Sequence, residues 1–148
     1  MTPDAAFALA NTLALVAWLA LAASLFAPAM RDWTWRLTGR AIPALLAAAY
    51  LVILPIGLSH AASGGFNSIS EVRTLFADDW ALTAGWLHYL AFDLFVGTWI
   101  ARSGLAGGAP WFVLLPCLAA TFIFGPAGLL LALVLRVARG ERGWAAYA

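Results

Sequence analysis

The chain has no lysine, one cysteine and, over 148 residues, only 10% charged side chains. Each shortage excludes something. Eight arginines against seven acids leave a net charge of +1, so there is no broad basic field to grip a nucleic acid, and no nucleic-acid partner is expected. Cys117 alone can make neither an internal disulfide nor a cysteine-rich metal cluster, and its apolar neighbours argue against a reactive thiolate. No P-loop, GxGxxG, GxSxG, HExxH or CxxC occurs, which removes the usual signatures of nucleotide, hydrolase and thiol-redox chemistry. What is there is apolar: 64% hydrophobic, 14% aromatic, with a mean hydropathy of +0.91. So few polar residues cannot cover a water-facing exterior, and the buried surface must lie largely against lipid.

A bilayer core needs roughly 20 apolar residues per helical crossing, and the charges divide the chain into four such runs. The sequence therefore predicts an all-α integral membrane protein, a four-transmembrane-helix bundle in one domain over 1–148, with spans at about 5–29, 41–59, 80–101 and 110–135. The first span lacks the basic flank of a secretory signal and is longer than its apolar core. Arg31 to Arg40, with Trp33 and Trp35, is expected to form a headgroup-level turn. Ser70 to Phe76 is expected as a short interfacial helix between helices two and three, and Asp78 or Asp79 as the N-cap of the third. Pro116 and Pro126 should kink the fourth. Four crossings put both termini on one side, and the arginines then tie: Arg31, Arg36, Arg40 and Arg102 against Arg73, Arg136, Arg139 and Arg142. Trp33, Trp35, Trp80, Trp111 and Trp144 at span ends fit an interfacial belt.

An ionisable residue inside the membrane is the strongest site marker available here. Asp93 is that residue, ~20 Å from one face and ~12 Å from the other along its helix. His88, five residues earlier, points ~140° away and lies ~7.5 Å along the axis, so the two could flank one ligand or face different neighbours. Depth counting sets Tyr50 and Thr121 in the layer of Asp93, with His88 and Asn11 just beyond. The bland alternative is that Asp93 hydrogen-bonds a Tyr or Thr to lock helix packing and that His88 is a packing histidine. His60 lies near the membrane edge, too far from His88 in depth for a bis-histidine haem or a shared metal, so no cofactor and no metal are expected. Trp86, Phe92, Phe122 and Phe124 suit packing, lipid contact or a long planar hydrocarbon, and Gly125 and Gly128 around Pro126 permit close backbone approach.

The runs Trp86-Leu87-His88-Tyr89-Leu90-Ala91-Phe92-Asp93-Leu94-Phe95-Val96-Gly97 and Pro116 to Leu131, the latter containing Thr121-Phe122-Ile123-Phe124-Gly125-Pro126, resemble the ABA4-like family of small integral membrane proteins. Its plant members are needed to form neoxanthin, an allenic xanthophyll, from the epoxide violaxanthin. The resemblance implies a membrane protein acting on, or holding, a carotenoid or similar long apolar ligand. His88, Asp93, Thr121, Gly125 and Pro126 are the positions carried over. The chain is short and shows no recognisable transit peptide, so a bacterial relative in an inner membrane is expected.

Opening an epoxide to an allene needs a proton delivered to the ring oxygen and another withdrawn from the adjoining polyene carbon. The sequence suggests Asp93 as donor and neutral His88 as acceptor, with Tyr50 or Thr121 orienting the oxygen and Trp86, Phe92, Phe124, Gly125 and Pro126 holding the substrate. The alternative is a non-enzymatic pigment-binding or assembly subunit whose aromatic helices clamp a carotenoid or pack on a partner in a membrane complex, such as a photosynthetic one. A small proton-linked transporter fits less well, because there is one intramembrane acid and no second charged layer.

Overall fold

The computed structural model describes residues 1–140, and Arg142 and Trp144 lie outside the described residues. The first helix, α1 (Pro3–Ser24), begins where Thr2 Oγ1 accepts from the Ala5 amide at 3.2 Å, with Pro3 in its first turn. At its other end Arg31 donates from Nε to the Ser24 carbonyl (3.0 Å) and from Nη2 to that of Leu25 (2.9 Å), satisfying carbonyls the helix leaves free.

The chain reverses at Leu25–Ala27 and not over the arginine-rich stretch, which is helical throughout. A single turn at Pro28–Met30 leads into α2 (Arg31–Arg36), a π-helical turn (Leu37–Ala41) and α3 (Ile42–His60). The expected headgroup turn at Arg31–Arg40 is thus corrected: apart from Gly39 nothing there opposes a helix. The widened π turn directly precedes Pro43, whose ring would otherwise press on the Gly39 carbonyl. Buried Thr38 on this turn donates to the Thr34 carbonyl (2.9 Å) and accepts from Thr98 at 2.8 Å.

Ser68 caps the short α4 (Ile69–Leu75), accepting from the Glu71 amide at 3.2 Å. Asp78 then caps α5 (Asp79–Ala106): Oδ1 accepts from the amides of Trp80 (2.9 Å) and Ala81 (3.0 Å), while Oδ2 lies 3.2 Å from His60 Nδ1 and ties the end of α3 to the start of α5. At 28 residues α5 outruns its expected end at Ala101, and it is the central post against which α1, α3, α6 and α7 pack. Two helical stretches, α1 and Pro28–His60, are long and apolar enough to cross a membrane. The buried face of α5 is lined by its neighbours, which lets it hold residues that lipid would not accept.

Small residues set the spacing. A methyl on Gly57 of α3 would come within 2.6 Å of the Ala81 Cα, and Gly97 leaves room for the Trp18 indole of α1 to lie on α5. Together these contacts make α1 parallel and α3 antiparallel to α5, with Phe7 beside Trp86 and Trp18 beside Gly97.

The last expected span is two helices. Arms α6 (Trp111–Phe124, 14 residues) and α7 (Pro126–Ala138, 13 residues) fold back on one another about Gly125. Gly128 is pressed against Thr121, Ala132 joins the cluster holding Cys117 and Leu114, and Arg139 Nη2 donates to the Gly108 carbonyl at 3.0 Å. Those pairings place residues before and after the tip at matching heights, which a kinked rod cannot do. Pro116 stays inside α6, while Pro126, lacking an amide hydrogen, opens α7 where none is needed. Gly125 supplies the reversal with φ +51° and ψ −99°, a backbone region that L side chains avoid. The described chain therefore ends at the Gly108 end, where Arg139 lies, opposite Pro3, and not beside the start of α1 as four crossings would have it.

Gly128→Val would drive two methyls into the Thr121 backbone and should cost about 1–3 kcal/mol by overpacking, whereas Ala127→Val beside it, on an exposed position, should be nearly neutral. Thermal unfolding in detergent measures both. Equal stability of the two variants would mean the arms do not pair.

Candidate functional site

Helix α5 presents its polar residues on two different faces. Toward α3, the His88 ring lies 5.7 Å from that of Tyr50 and stacks on Phe92 at 4.5 Å between centroids. His88 is exposed and Tyr50 half-buried. Both line a cavity of about 330 Å³ whose remaining wall is Leu54, Phe66, Leu75, Phe76, Ala81 and Gly85. The segment around α4 closes one side of it, and Gly85 is what lets it fit: a methyl there would stand 2.7 Å from the Phe76 ring. Apolar walls with two polar side chains are the usual make-up of a small-molecule site.

Toward α1 and the α6–α7 hairpin the arrangement differs. Trp86 donates from Nε1 to Asn11 Oδ1 at 2.8 Å, stacks on Tyr89 at 5.3 Å and touches Phe7 at 5.5 Å. The Tyr89 hydroxyl donates to the Ile123 carbonyl at 3.3 Å, beside the hairpin tip. One turn on, Asp93 sits against the tip itself: a methyl at Gly125 would lie 2.9 Å from Oδ1 and 3.0 Å from Oδ2. Oδ2 is buried and has no hydrogen-bond partner among the described residues. The carboxyl therefore stands at the junction where α6 ends and α7 begins.

The expected polar layer is thus divided. Asp93 and His88 face different neighbours, as one of the two sequence readings had it. Tyr50 pairs with His88 and not with Asp93, and Asn11 serves Trp86. Thr121 is fully buried, donates to the Cys117 carbonyl at 2.8 Å and is covered by Gly128, so its hydroxyl is spent within the hairpin. Phe92 belongs to the His88 side, Trp86 to the Asn11 side; Phe124, 67% exposed, and Pro126, also exposed, flank the tip. Cys117 is buried, its Sγ 3.3 Å from the Val113 carbonyl. Sequence reasoning missed Tyr89, although it stands one helical turn before Asp93, and missed Phe66, Phe76 and Gly85, which only the folding of the α4 segment over α5 brings to His88.

A family model described as ABA DEFICIENT 4-like matches residues 5–131. The chain belongs to the ABA4-like family. The match spans α1 through the first six residues of α7, so both faces of α5 and the hairpin tip of this ABA4-like chain lie inside the family's own extent. No curated protein and no solved structure matches it. The family is associated with plants, and it lends no support to the bacterial inner membrane expected from sequence; the two long apolar helices suggest membrane association by their length and composition.

The Asp93 contact predicts a coupling. Gly125→Ala should cost about 1–3 kcal/mol from its backbone conformation, with a further penalty from the carboxyl. In a double-mutant cycle with Asp93→Ala the two losses should fall short of additivity by about 0.5 kcal/mol or more. Strict additivity in denaturation would mean the carboxyl does not bear on the tip.

Proposed function

We propose that this ABA4-like chain is a membrane protein acting on a carotenoid, and that the substrate's oxygen-bearing ring seats in the cavity lined by Tyr50 and His88. The observation that carries this reading is the pairing of a phenol and an imidazole, 5.7 Å between ring centroids, over a largely apolar cavity of about 330 Å³. Asp93 is not among the residues lining that cavity. The acid that works with His88 is then Tyr50, and Asp93 holds the hairpin tip.

The chemistry balances as an isomerisation. The Tyr50 hydroxyl gives its proton to the epoxide oxygen as the carbon–oxygen bond breaks, and neutral His88 takes a proton from the neighbouring polyene carbon, whose electron pair completes the cumulated double bonds. Return of that proton from His88 to the Tyr50 oxygen resets the pair, and nothing is oxidised or reduced. Phe92, stacked on His88, would guide the polyene out along the exposed aromatic side of α5.

In a host that makes epoxy-carotenoids, Tyr50→Phe and His88→Gln should each lower conversion about 10²–10⁴-fold while the protein still accumulates in the membrane; Asp93→Asn should retain conversion. Chromatography of extracted pigments reads the outcome. Loss of product with Asp93→Asn but not with Tyr50→Phe would return the acid role to Asp93.

A second reading, pigment binding without conversion, is favoured by the broad exposed apolar surface, including Phe92, Phe95, Phe122 and Phe124. It is distinguished by unaltered carotenoid co-purifying with both the wild type and Tyr50→Phe.

In this reading the bilayer is crossed by α1, by the long helix ending at His60 and by α5, and the α6–α7 hairpin enters from one face and returns to it. Backbone at a break inside a bilayer is tolerated where protein shields it, and here α5 does so. The arginine tie then disappears. Arg31, Arg36, Arg40, Arg102, Arg136 and Arg139 lie at one end with Asp32, while Arg73 shares the other with Asp4, Glu71, Asp78 and Asp79. The positive-inside rule assigns the arginine-rich end to the cytoplasmic type of compartment. In a Cys117→Ala background, single cysteines at Gly108 and Ala138 should be labelled by an impermeant maleimide from the same face of sealed vesicles. Labelling from opposite faces would restore a fourth crossing.

A further inference from the structure

The arginine-rich end contains a feature that the carotenoid reading does not use. A recess of about 200 Å³ is lined by Asp32, Trp35, Arg36, Arg40 and Arg102. Three guanidinium groups and one carboxylate give it a formal charge of +2. Among the described residues no acidic side chain reaches ion-pair distance of any of the three arginines. Arg36 commits one donor, Nε, to the Asp32 main-chain carbonyl at 3.3 Å, and the Arg102 guanidinium lies 5.7 Å from the Trp35 ring centroid. Trp35 Nε1 is itself buried and without a partner among the described residues. Most of the hydrogen-bond donors in this wall are therefore uncommitted, and the Asp32 carboxylate offsets only one of the three positive charges held together there.

The backbone explains how the charges come to converge. Arg36 ends α2 and Arg40 lies four residues on in the π turn Leu37–Ala41, so the two fall on successive turns of one continuous helix; such turns recur at functional sites. The turn is anchored to α5 by the buried Thr38–Thr98 hydrogen bond, 2.8 Å, one turn before Arg102. The recess is thus a fixed junction of two helices, independent of flexible loops.

We infer that this recess binds a phosphate group. Guanidinium forks match phosphate oxygens in pairs, and a tetrahedral anion offers enough acceptors for three arginines, where a carboxylate offers two oxygens. The volume exceeds the ~30 Å³ share of one water several-fold. A phosphate can arrive on the headgroup of an anionic phospholipid, since basic pockets at the ends of membrane helices take such groups, or on a soluble phosphorylated compound. The inference stands apart from the Tyr50–His88 reading, being at the other end of α5.

The test uses the full chain purified in neutral detergent. Dioleoylphosphatidylglycerol, with dioleoylphosphatidylcholine as the uncharged control, is titrated and followed by native mass spectrometry, and inorganic phosphate is titrated separately and followed by thermal unfolding. One phosphatidylglycerol should be retained per chain at about tenfold preference over phosphatidylcholine, and Arg40→Gln and Arg102→Gln should each weaken it by about tenfold. Arg73→Gln, at the opposite end, should change nothing. Arg36→Gln, an exposed position, serves if Arg102→Gln fails to give a monodisperse sample. Stabilisation by inorganic phosphate with the same arginine dependence identifies a soluble phosphate as the source; its absence alongside lipid retention identifies the headgroup. Failure of both probes, or binding unmoved by the Arg40 and Arg36 substitutions, overturns the inference.

Discussion

The architecture depends on a reversal at Gly125 that happens against the middle of α5, beside Asp93. Two apolar arms of 14 and 13 residues are each too short to span roughly 30 Å of hydrocarbon, and they lie together because Gly128 has no side chain to hold Thr121 off. A break in the helix leaves amide and carbonyl groups that must find shelter. Helix α5 provides it, with Tyr89 reaching the Ile123 carbonyl and Asp93 seated on Gly125.

That constraint separates the polar groups of α5 into two sets. One faces α1 and the hairpin, where hydrogen bonds join Trp86 to Asn11 and Tyr89 to Ile123 and the groups are mostly committed to structure. The other faces α3, where Tyr50 and His88 meet over open volume. Groups that hold helices together are spent, whereas groups left at a cavity are available to a ligand. The division also moves the end of the described chain across the molecule, and so gathers six arginines at one end and most of the acids at the other.

Much of the fold was legible in the sequence. The capping role of Asp78, the short helix before it, and the apolar runs of α1 and α3 follow from local preference and hydropathy, which act within a turn or two. The arginine-rich stretch was misread because charge was taken as a sign of a turn, although nothing in Arg31–Thr38 disfavours a helix and its cations can cap the carbonyls of α1. Pro126 was expected to kink one continuous helix, but a proline says only that a helix is interrupted; whether the chain then bends or doubles back depends on the φ of Gly125 and on what Gly128 meets. Asp93 and His88 were legible as ionisable groups within an apolar run, and Tyr50 as a side chain at a similar depth. Their partners were not, because depth fixes height along the bundle and leaves rotation about each axis open.

The sequence by itself determined that this is an apolar, helical chain with rare ionisable groups on one central helix, since composition and local periodicity suffice for that, and the runs 86–97 and 116–131 carried the resemblance to the ABA4-like family. Only the tertiary structure decided which groups share a pocket, that the last apolar run is a hairpin, and that the arginines collect at one end. Those outcomes rest on close contacts between residues far apart in the chain, such as Gly57 with Ala81, Trp18 with Gly97 and Tyr50 with His88, and no local pattern encodes them.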